Sequence, residues 1–176
     1  MTPTLRQFAF IADGERGALV GPSGEIAWMC MPSWESEAVF TALLGGRGAC
    51  IVRPQERFVW GGYYEPGTLI WKSRWVLAGG AIVECREALA FPEDPDRAVL
   101  LRRISPREGA AKTLVRLDLW KSYGSKRFEN VKRSDSGIWT ADAEGLFARW
   151  TGVHALLLEC ASRMRDHLEQ ASNPGS

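Results

Sequence analysis

Six consecutive residues, Ile26 to Met31 (IAWMCM), are apolar at every position and follow a Gly21-Pro22-Ser23-Gly24 turn. Strand side chains alternate between two faces, so a strand apolar on both parities must be covered on both sides. A chain carrying such a strand has to build at least a second layer against it. Pro32 ends the strand, and a loop with Glu35 and Glu37 leads to Ala38, Val39, Ala42, Leu43, Leu44 and then Gly45-Gly46. These apolar positions recur at helical spacing, with Ser36 or Ser33 as N-cap and the glycines as a stop, which predicts a short helix of about two or three turns.

Beyond Cys50 the pattern is that of strands. Trp71, Trp75 and Leu77 alternate with Lys72 and Arg74 at period two, Ala78-Gly79-Gly80-Ala81 turns the chain, and Ile82 to Ala90 returns. Further apolar segments at 98–104, 114–120, 138–141, 146–150 and 153–160 are spaced like an antiparallel meander. The period changes at 161–171, where Ala161, Met164, Leu168 and Ala171 recur as on a helix. The expected fold is mainly β, an antiparallel β-sandwich over residues 1–160 with a short helix in its N-terminal half. Residues 161–176 are expected to form a terminal helix and tail.

Composition narrows the functional classes. A net charge of +1, with Lys and Arg scattered, offers no basic footprint for nucleic acid or a membrane surface. No apolar run reaches the ~18 residues that span a bilayer, and the N-terminus has no apolar core of a secretory signal. Cys30, Cys50, Cys85 and Cys160 lie far apart, three of them inside apolar runs, as buried reduced thiols do. A cytoplasmic protein is expected. Most of the eight Trp are expected to fill the core.

Catalytic motifs are missing. There is no phosphate-binding glycine loop, and Gly21-Pro22-Ser23-Gly24 lacks the spacing of a nucleophile elbow. His154 and His167 have no Cys or His at ligand spacing, so no metal site is expected, and His154 reads as a packed strand residue. Acids such as Asp13, Glu15, Glu25, Glu35, Glu37, Glu65, Asp94 and Asp96 fall mostly in turns, where a solvated surface is expected, and sequence spacing places no pair of them across a sugar. No catalytic residue and no cofactor is assigned.

Residues 17–46 resemble the opening of bacterial and archaeal glucoamylase- and trehalase-like proteins of glycoside hydrolase family fifteen. Ile26, Trp28, Cys30, Pro32, Ser36, Phe40 and Ala42-Leu43-Leu44-Gly45 match in register. Tyr64-Glu65-Pro66-Gly67-Thr68-Leu69 is similar to the family's Tyr-x-Pro-Gly-Thr-Leu, and Leu101-Arg102-Arg103-Ile104 to its Leu-Val-Arg-Arg-Val. The chain departs at Ala27, where the family often has Asp, and at Ser33-Trp34-Glu35-Ser36, which replaces Arg-Phe-Asp-Ser. The resemblance implies a non-catalytic β-supersandwich domain that supports an (α/α)6 barrel holding the catalytic glutamates of an inverting α-glucoside hydrolase. That barrel is not in this chain, and residues 161–176 would begin the linker to it or cap a shortened sandwich.

Trp28, Trp34 and Glu35 are then the candidates for the rim of an α-glucoside cleft or for an interdomain contact, with Trp28 equally readable as core. Without the barrel, the strand at 26–31 would be partly exposed or would pair with a second copy of the chain. A free-standing carbohydrate-binding or protein-interaction module is the alternative, and it would need an exposed aromatic row such as Trp60, Tyr63, Tyr64 and Trp71.

Overall fold

The computed structural model describes residues 4–91, 94–151 and the backbone of 155–160 with the Leu158 side chain. The strands in chain order are β1 (Ala9–Ala12), β2 (Gly17–Val20), β3 (Glu25–Cys30), β4 (Ala38–Phe40), β5 (Ala49–Pro54), β6 (Phe58–Tyr64), β7 (Trp71–Leu77) and β8 (Ile82–Leu89). They continue as β9 (Arg97–Glu108), β10 (Thr113–Asp118), β11 (Trp120–Lys121), β12 (Lys126–Arg127), β13 (Glu129–Arg133), β14 (Trp139–Ala143), β15 (Leu146–Trp150) and β16 (Ala155–Cys160). Sheet A has the order β1-β2-β3-β5-β10, with β4 added to β3, and sheet B the order β13-β14-β15-β16-β9-β8-β7-β6. A short ribbon of β11 and β12 stands beside them, and every pairing is antiparallel.

Both sheets contribute to one core. Ile11, Val20, Ile26, Met29 and Phe40 of sheet A cluster with Leu89, Leu100, Ala148 and Leu158 of sheet B. A second cluster joins Val52 to Trp75, Leu77, Val83 and Cys85. β3 is covered on both parities within the chain itself, since Ile26, Ala27, Met29 and Cys30 are all buried. The Gly21–Gly24 turn forms as expected between β2 and β3, and it needs glycine at Gly24 twice over. There φ is +71°, and an added Cβ would sit 1.9 Å from the Val52 carbonyl oxygen.

The helix expected between Ser36 and Leu44 is instead β4 followed by a one-turn 3-10 segment, Ala42–Leu44. Ala38, Val39 and Phe40 are fully buried, with Cys30 opposite Ala38 and Met29 opposite Phe40. A short apolar run of this kind suits a buried strand and a helix equally by periodicity, and here the free side of β3 decided the outcome. Gly45 does act as a left-handed stop, at φ +75°. The helix expected over 161–171, and His154 and His167, lie outside the described residues.

Charged groups fix the two sheets together. Glu87 and Arg102 occupy inward positions of β8 and β9, in phase with Val83, Cys85, Leu89, Ala98 and Leu100, and lie opposite each other in register. The Arg102 guanidinium pairs with the Glu87 carboxylate while Nη1 donates to the Cys50 carbonyl and Nη2 to the Gly24 carbonyl, each at 2.7 Å. Glu87 also accepts from the Ser73 hydroxyl at 2.7 Å, which itself accepts from the Trp71 indole at 3.0 Å. Burial opposes the guanidinium charge, but the Glu87 carboxylate together with Cys50 and Cys85 offsets it and the Arg102 pKa moves up.

A second such unit ties the β1–β2 turn down. Asp13, expected as a solvated turn acid, has a fully buried side chain 3.1 Å from Arg16 Nε, and Arg16 Nη1 donates to the Arg97 carbonyl at 2.6 Å. The Asp13 carboxylate also accepts from the backbone N–H groups of Glu15 and Arg16, so the turn's orphan donors are what bring it inside.

Removing one partner of a buried ion pair leaves an uncompensated charge, which costs about 3–5 kcal/mol. Glu87→Gln is therefore expected to lower unfolding stability by about that amount in urea denaturation, whereas Glu87→Leu combined with Arg102→Leu recovers much of the loss. Equal stability of wild type and Glu87→Gln would show that the pair does not hold the sheets.

Candidate functional site

The outer face of sheet A carries aromatic side chains where a solvated sheet would carry polar ones. In register, Phe10 of β1 lies opposite Leu19 of β2, and Leu19 opposite Trp28 of β3, so the three form one row across the sheet. Trp34, in the turn after Pro32, folds back over this row. Its ring stacks on Phe10 with centroids 5.5 Å apart and planes 24° apart, and it lies directly over Gly17. Trp34 remains 49% exposed and Phe10 36%. The turn that holds Trp34 is pinned locally, since the Ser33 backbone N–H donates to the Ser36 hydroxyl at 3.1 Å.

Two neighbours extend the row. At one end the Tyr64 hydroxyl accepts from the Phe10 backbone N–H at 2.7 Å and donates to the Phe10 carbonyl at 3.0 Å. This satisfies polar groups that an edge strand would otherwise leave bare, and links β6 of sheet B to β1 of sheet A. Tyr64 in turn meets Trp71 edge-on at 4.9 Å. At the other end Tyr123 lies over Trp28 at 6.3 Å and is itself 57% exposed. Tyr123 and Ser122 have φ values of +55° and +50°. Neither is glycine, so each costs roughly 1 kcal/mol or more in that region. The strain places Tyr123 on Trp28 and brings the Ser122 hydroxyl to within 2.9 Å of the Glu37 carboxylate.

Of the residues marked from sequence, Trp28 and Trp34 thus share one face, while Glu35 stands exposed at the tip of the same turn. Phe10 and Tyr123 were missed. The alternation Ala9-Phe10-Ile11 with two buried neighbours could have revealed Phe10, whereas Tyr123 rests on a backbone conformation that no residue preference announces. The aromatic row considered for a binding module does not form. Trp60 packs on the second core cluster and Trp71 on the first, while Tyr63 faces outward beneath Lys72.

The outward face of sheet B is cationic. Lys72, Arg86 and Arg103 lie opposite one another across β7, β8 and β9, an unfavourable row of like charges. Glu65 relieves it, with Arg86 on both carboxylate oxygens at 2.7 and 2.8 Å and Lys72 at 3.0 Å. The Arg86 and Lys72 hydrogen bonds hold the Glu65 pKa down at about 2, so this relief is complete above the ordinary carboxylate range and fades as pH falls towards that value. Among the described residues no three His, Cys, Asp or Glu side chains gather as metal ligands. Cys30, Cys50 and Cys85 are free and buried, and burial raises the thiol pKa of Cys30 and Cys85.

A mainly β, antiparallel fold agrees with what related sequences show. The model of the family described as "Trehalase-like, N-terminal" matches residues 1–155. The chain belongs to that family. It is 28% identical over 124 residues to the trehalase of Mycobacterium tuberculosis and 32% identical over 97 residues to the trehalase of Mycolicibacterium smegmatis. Those alignments cover 64% and 51% of this chain but 17% and 14% of the two enzymes, so this trehalase-like N-terminal domain spans about a sixth of its relatives' length. No solved structure matches it. No helix among the described residues is long and apolar enough to cross a membrane.

Gly17 tests the geometry of the aromatic face. A Cβ there would lie 2.3 Å from Trp34 Cη2 and 2.5 Å from Phe10 Cε2, and both are the ends of side chains that can swing away. Gly17→Ala is expected to abolish the stack, seen as loss of near-UV circular dichroism and a shift of the Trp34 indole resonance, while Tm moves by only a few degrees. An unchanged near-UV spectrum would place Trp34 elsewhere.

Proposed function

We propose that this chain is the non-catalytic N-terminal β-sandwich domain of a glucoamylase- or trehalase-like glycoside hydrolase of family fifteen, a cytoplasmic inverting enzyme acting on an α-glucoside. Its work is to seat and cover an (α/α)6 barrel, with the Phe10–Trp34–Trp28 face turned to that barrel and the Trp34–Glu35 turn at the rim of the substrate cleft. The observation that carries the reading is the aromatic row on the outer face of sheet A. Exposed rings of this kind, stacked and held by a strained turn, suit a partner surface or a sugar better than bulk water.

The match to the trehalase-like N-terminal family and the two trehalase relatives support the reading as a domain of a glycoside hydrolase. Their much greater length leaves room for the barrel.

A domain exchange tests this. The purified chain is expected to release no glucose from trehalose. A chimera in which it replaces the matching segment of the Mycobacterium tuberculosis trehalase is expected to hydrolyse trehalose, with Trp34→Ser lowering kcat/KM at least ~10-fold, the equivalent of about 1.4 kcal/mol. Turnover by the isolated chain, or a chimera indifferent to Trp34, Phe10 and Trp28, would contradict the proposal.

A further inference from the structure

Among the described residues β1, β10, β13 and β6 terminate the paths of sheets A and B, and all but β6 are protected against further pairing. In sheet A, the Phe10 N–H and C=O on the free side of β1 are taken up by the Tyr64 hydroxyl, while β10 carries Arg116 and Asp118. In sheet B, β13 carries Glu129, Lys132 and Arg133, breaks register with β14 between Glu129 and Lys132, and holds Asn130 at φ +51°. None of these devices occurs in β6. Its 7 residues, Phe58-Val59-Trp60-Gly61-Gly62-Tyr63-Tyr64, contain no charge and no proline, and it pairs with β7 without a register break.

The hydrogen-bond phase of β6 shows which of its groups face the open side. At the two ends of the β6–β7 ladder, Glu65 N–H donates to the Ile70 carbonyl at 3.0 Å and Ala78 N–H to the Arg57 carbonyl at 3.2 Å. Antiparallel pairs alternate between bonded and non-bonded. Val59, Gly61 and Tyr63 therefore bond to β7, while the N–H and C=O groups of Phe58, Trp60, Gly62 and Tyr64 point away from it. No hydrogen bond among the described residues engages these open groups. Val59 and Tyr63 share the outward face, with Gly61 between them, and are 74% and 46% exposed.

From this we propose that β6 pairs antiparallel with β6 of a second copy of this chain, across a two-fold axis at Gly61. An axis perpendicular to a sheet sets residues of the same parity opposite each other. Centred on Gly61, it matches the whole strand: Phe58 meets Tyr64 of the copy, Val59 meets Tyr63, Trp60 meets Gly62, and Gly61 meets itself. Phase and register then agree. The bonded pairs fall on Phe58, Trp60, Gly62 and Tyr64, whose groups are open, giving about eight backbone hydrogen bonds. Val59 and Tyr63 form the closer non-bonded pairs and cover each other's exposed side chains. Moving the axis to Trp60 or Gly62 shortens the ladder and leaves Tyr63 or Val59 without a partner. The uncharged edge offers a foreign strand nothing to select it, whereas its own sequence supplies the complement. The strand is about 24 Å long at ~3.4 Å per residue, and one such edge stays below the ~1,200 Å² of standard interfaces, so the dimer is weak, with a Kd on the order of 10–100 μM. The inference rests on β6 alone and holds whether or not the chain serves a hydrolase.

The test is sedimentation equilibrium of the full 176-residue chain from about 5 to about 500 μM, a range that brackets this Kd, with amide exchange followed in ¹H–¹⁵N spectra at low and high concentration. A monomer–dimer equilibrium is expected that stops at two copies, because pairing consumes the open edge. Exchange of the Phe58, Trp60, Gly62 and Tyr64 amides is expected to slow several-fold at high concentration, while Val59, Gly61 and Tyr63, already bonded to β7, change less. Gly61→Glu probes the axis. An added Cβ there meets nothing within 4 Å in the chain and has Arg74 opposite on β7, but at the two-fold the carboxylate faces its own copy. Like charges directly opposite repel, so dimerisation is expected to weaken at least ~10-fold with the folded spectrum unchanged. A chain that stays monomeric throughout, assemblies that grow past two copies, a dimer whose β6 amides show no alternation, or a dimer untouched by Gly61→Glu would each overturn the inference.

Discussion

The Arg102 guanidinium is the point at which the two sheets become one structure. Four groups converge on it from three separate parts of the chain: the Glu87 carboxylate beside it in sheet B, and the Gly24 and Cys50 carbonyls across the core, with the Cys50 thiol close by. A buried ion pair of this kind contributes little net stability against an apolar pair of equal volume, because desolvation offsets most of the attraction. It contributes registration. Apolar faces slide over one another at little cost, whereas a guanidinium with its donors committed to two carbonyls does not. The Gly24 carbonyl accepts from Arg102 Nη2, and Gly24 lies against the Val52 carbonyl, so the β2–β3 turn is fixed in space as well as in conformation.

That registration positions the two surfaces discussed here. Sheet A, held against sheet B from the inside, presents Phe10, Leu19 and Trp28 outward in a row, and the turn after Pro32 lays Trp34 across it. Sheet B ends at β6, whose open edge begins where the Tyr64 hydroxyl meets Phe10. Both surfaces spend large aromatic side chains where a self-contained sandwich would bring its rings inside.

Much of the architecture was legible in the sequence. The doubly apolar stretch at 26–31 required two layers, the period-two alternation of β7 placed Trp75 and Leu77 inside, and the glycine-rich turns marked both hairpins. The short helix was misread because Ala38-Val39-Phe40 is too brief for periodicity to separate helix from buried strand, and only the unpaired side of β3 settles it. Trp28 and Trp34 were legible as candidates, but their union was not, since it depends on Gly17 leaving room and on strained backbone at Ser122 and Tyr123. The buried charges carried a readable signal. Glu87 and Arg102 fall in phase with apolar neighbours on adjoining strands, and a charge at an inward parity on each of two paired strands indicates a partnership.

The central claim is that the buried Arg102 unit makes the two sheets one cooperative structure, and native-state hydrogen exchange addresses it most directly. Val52 N–H, bonded to the Gly24 carbonyl, reports on sheet A, and the paired amides of β8 and β9 report on sheet B. The account predicts that both sets open only by global unfolding, with the same free energy and the same dependence on denaturant. Exchange of the β3 and β5 amides through a lower-energy opening, while β8 and β9 stay protected, would show that the sheets unfold separately and would contradict it.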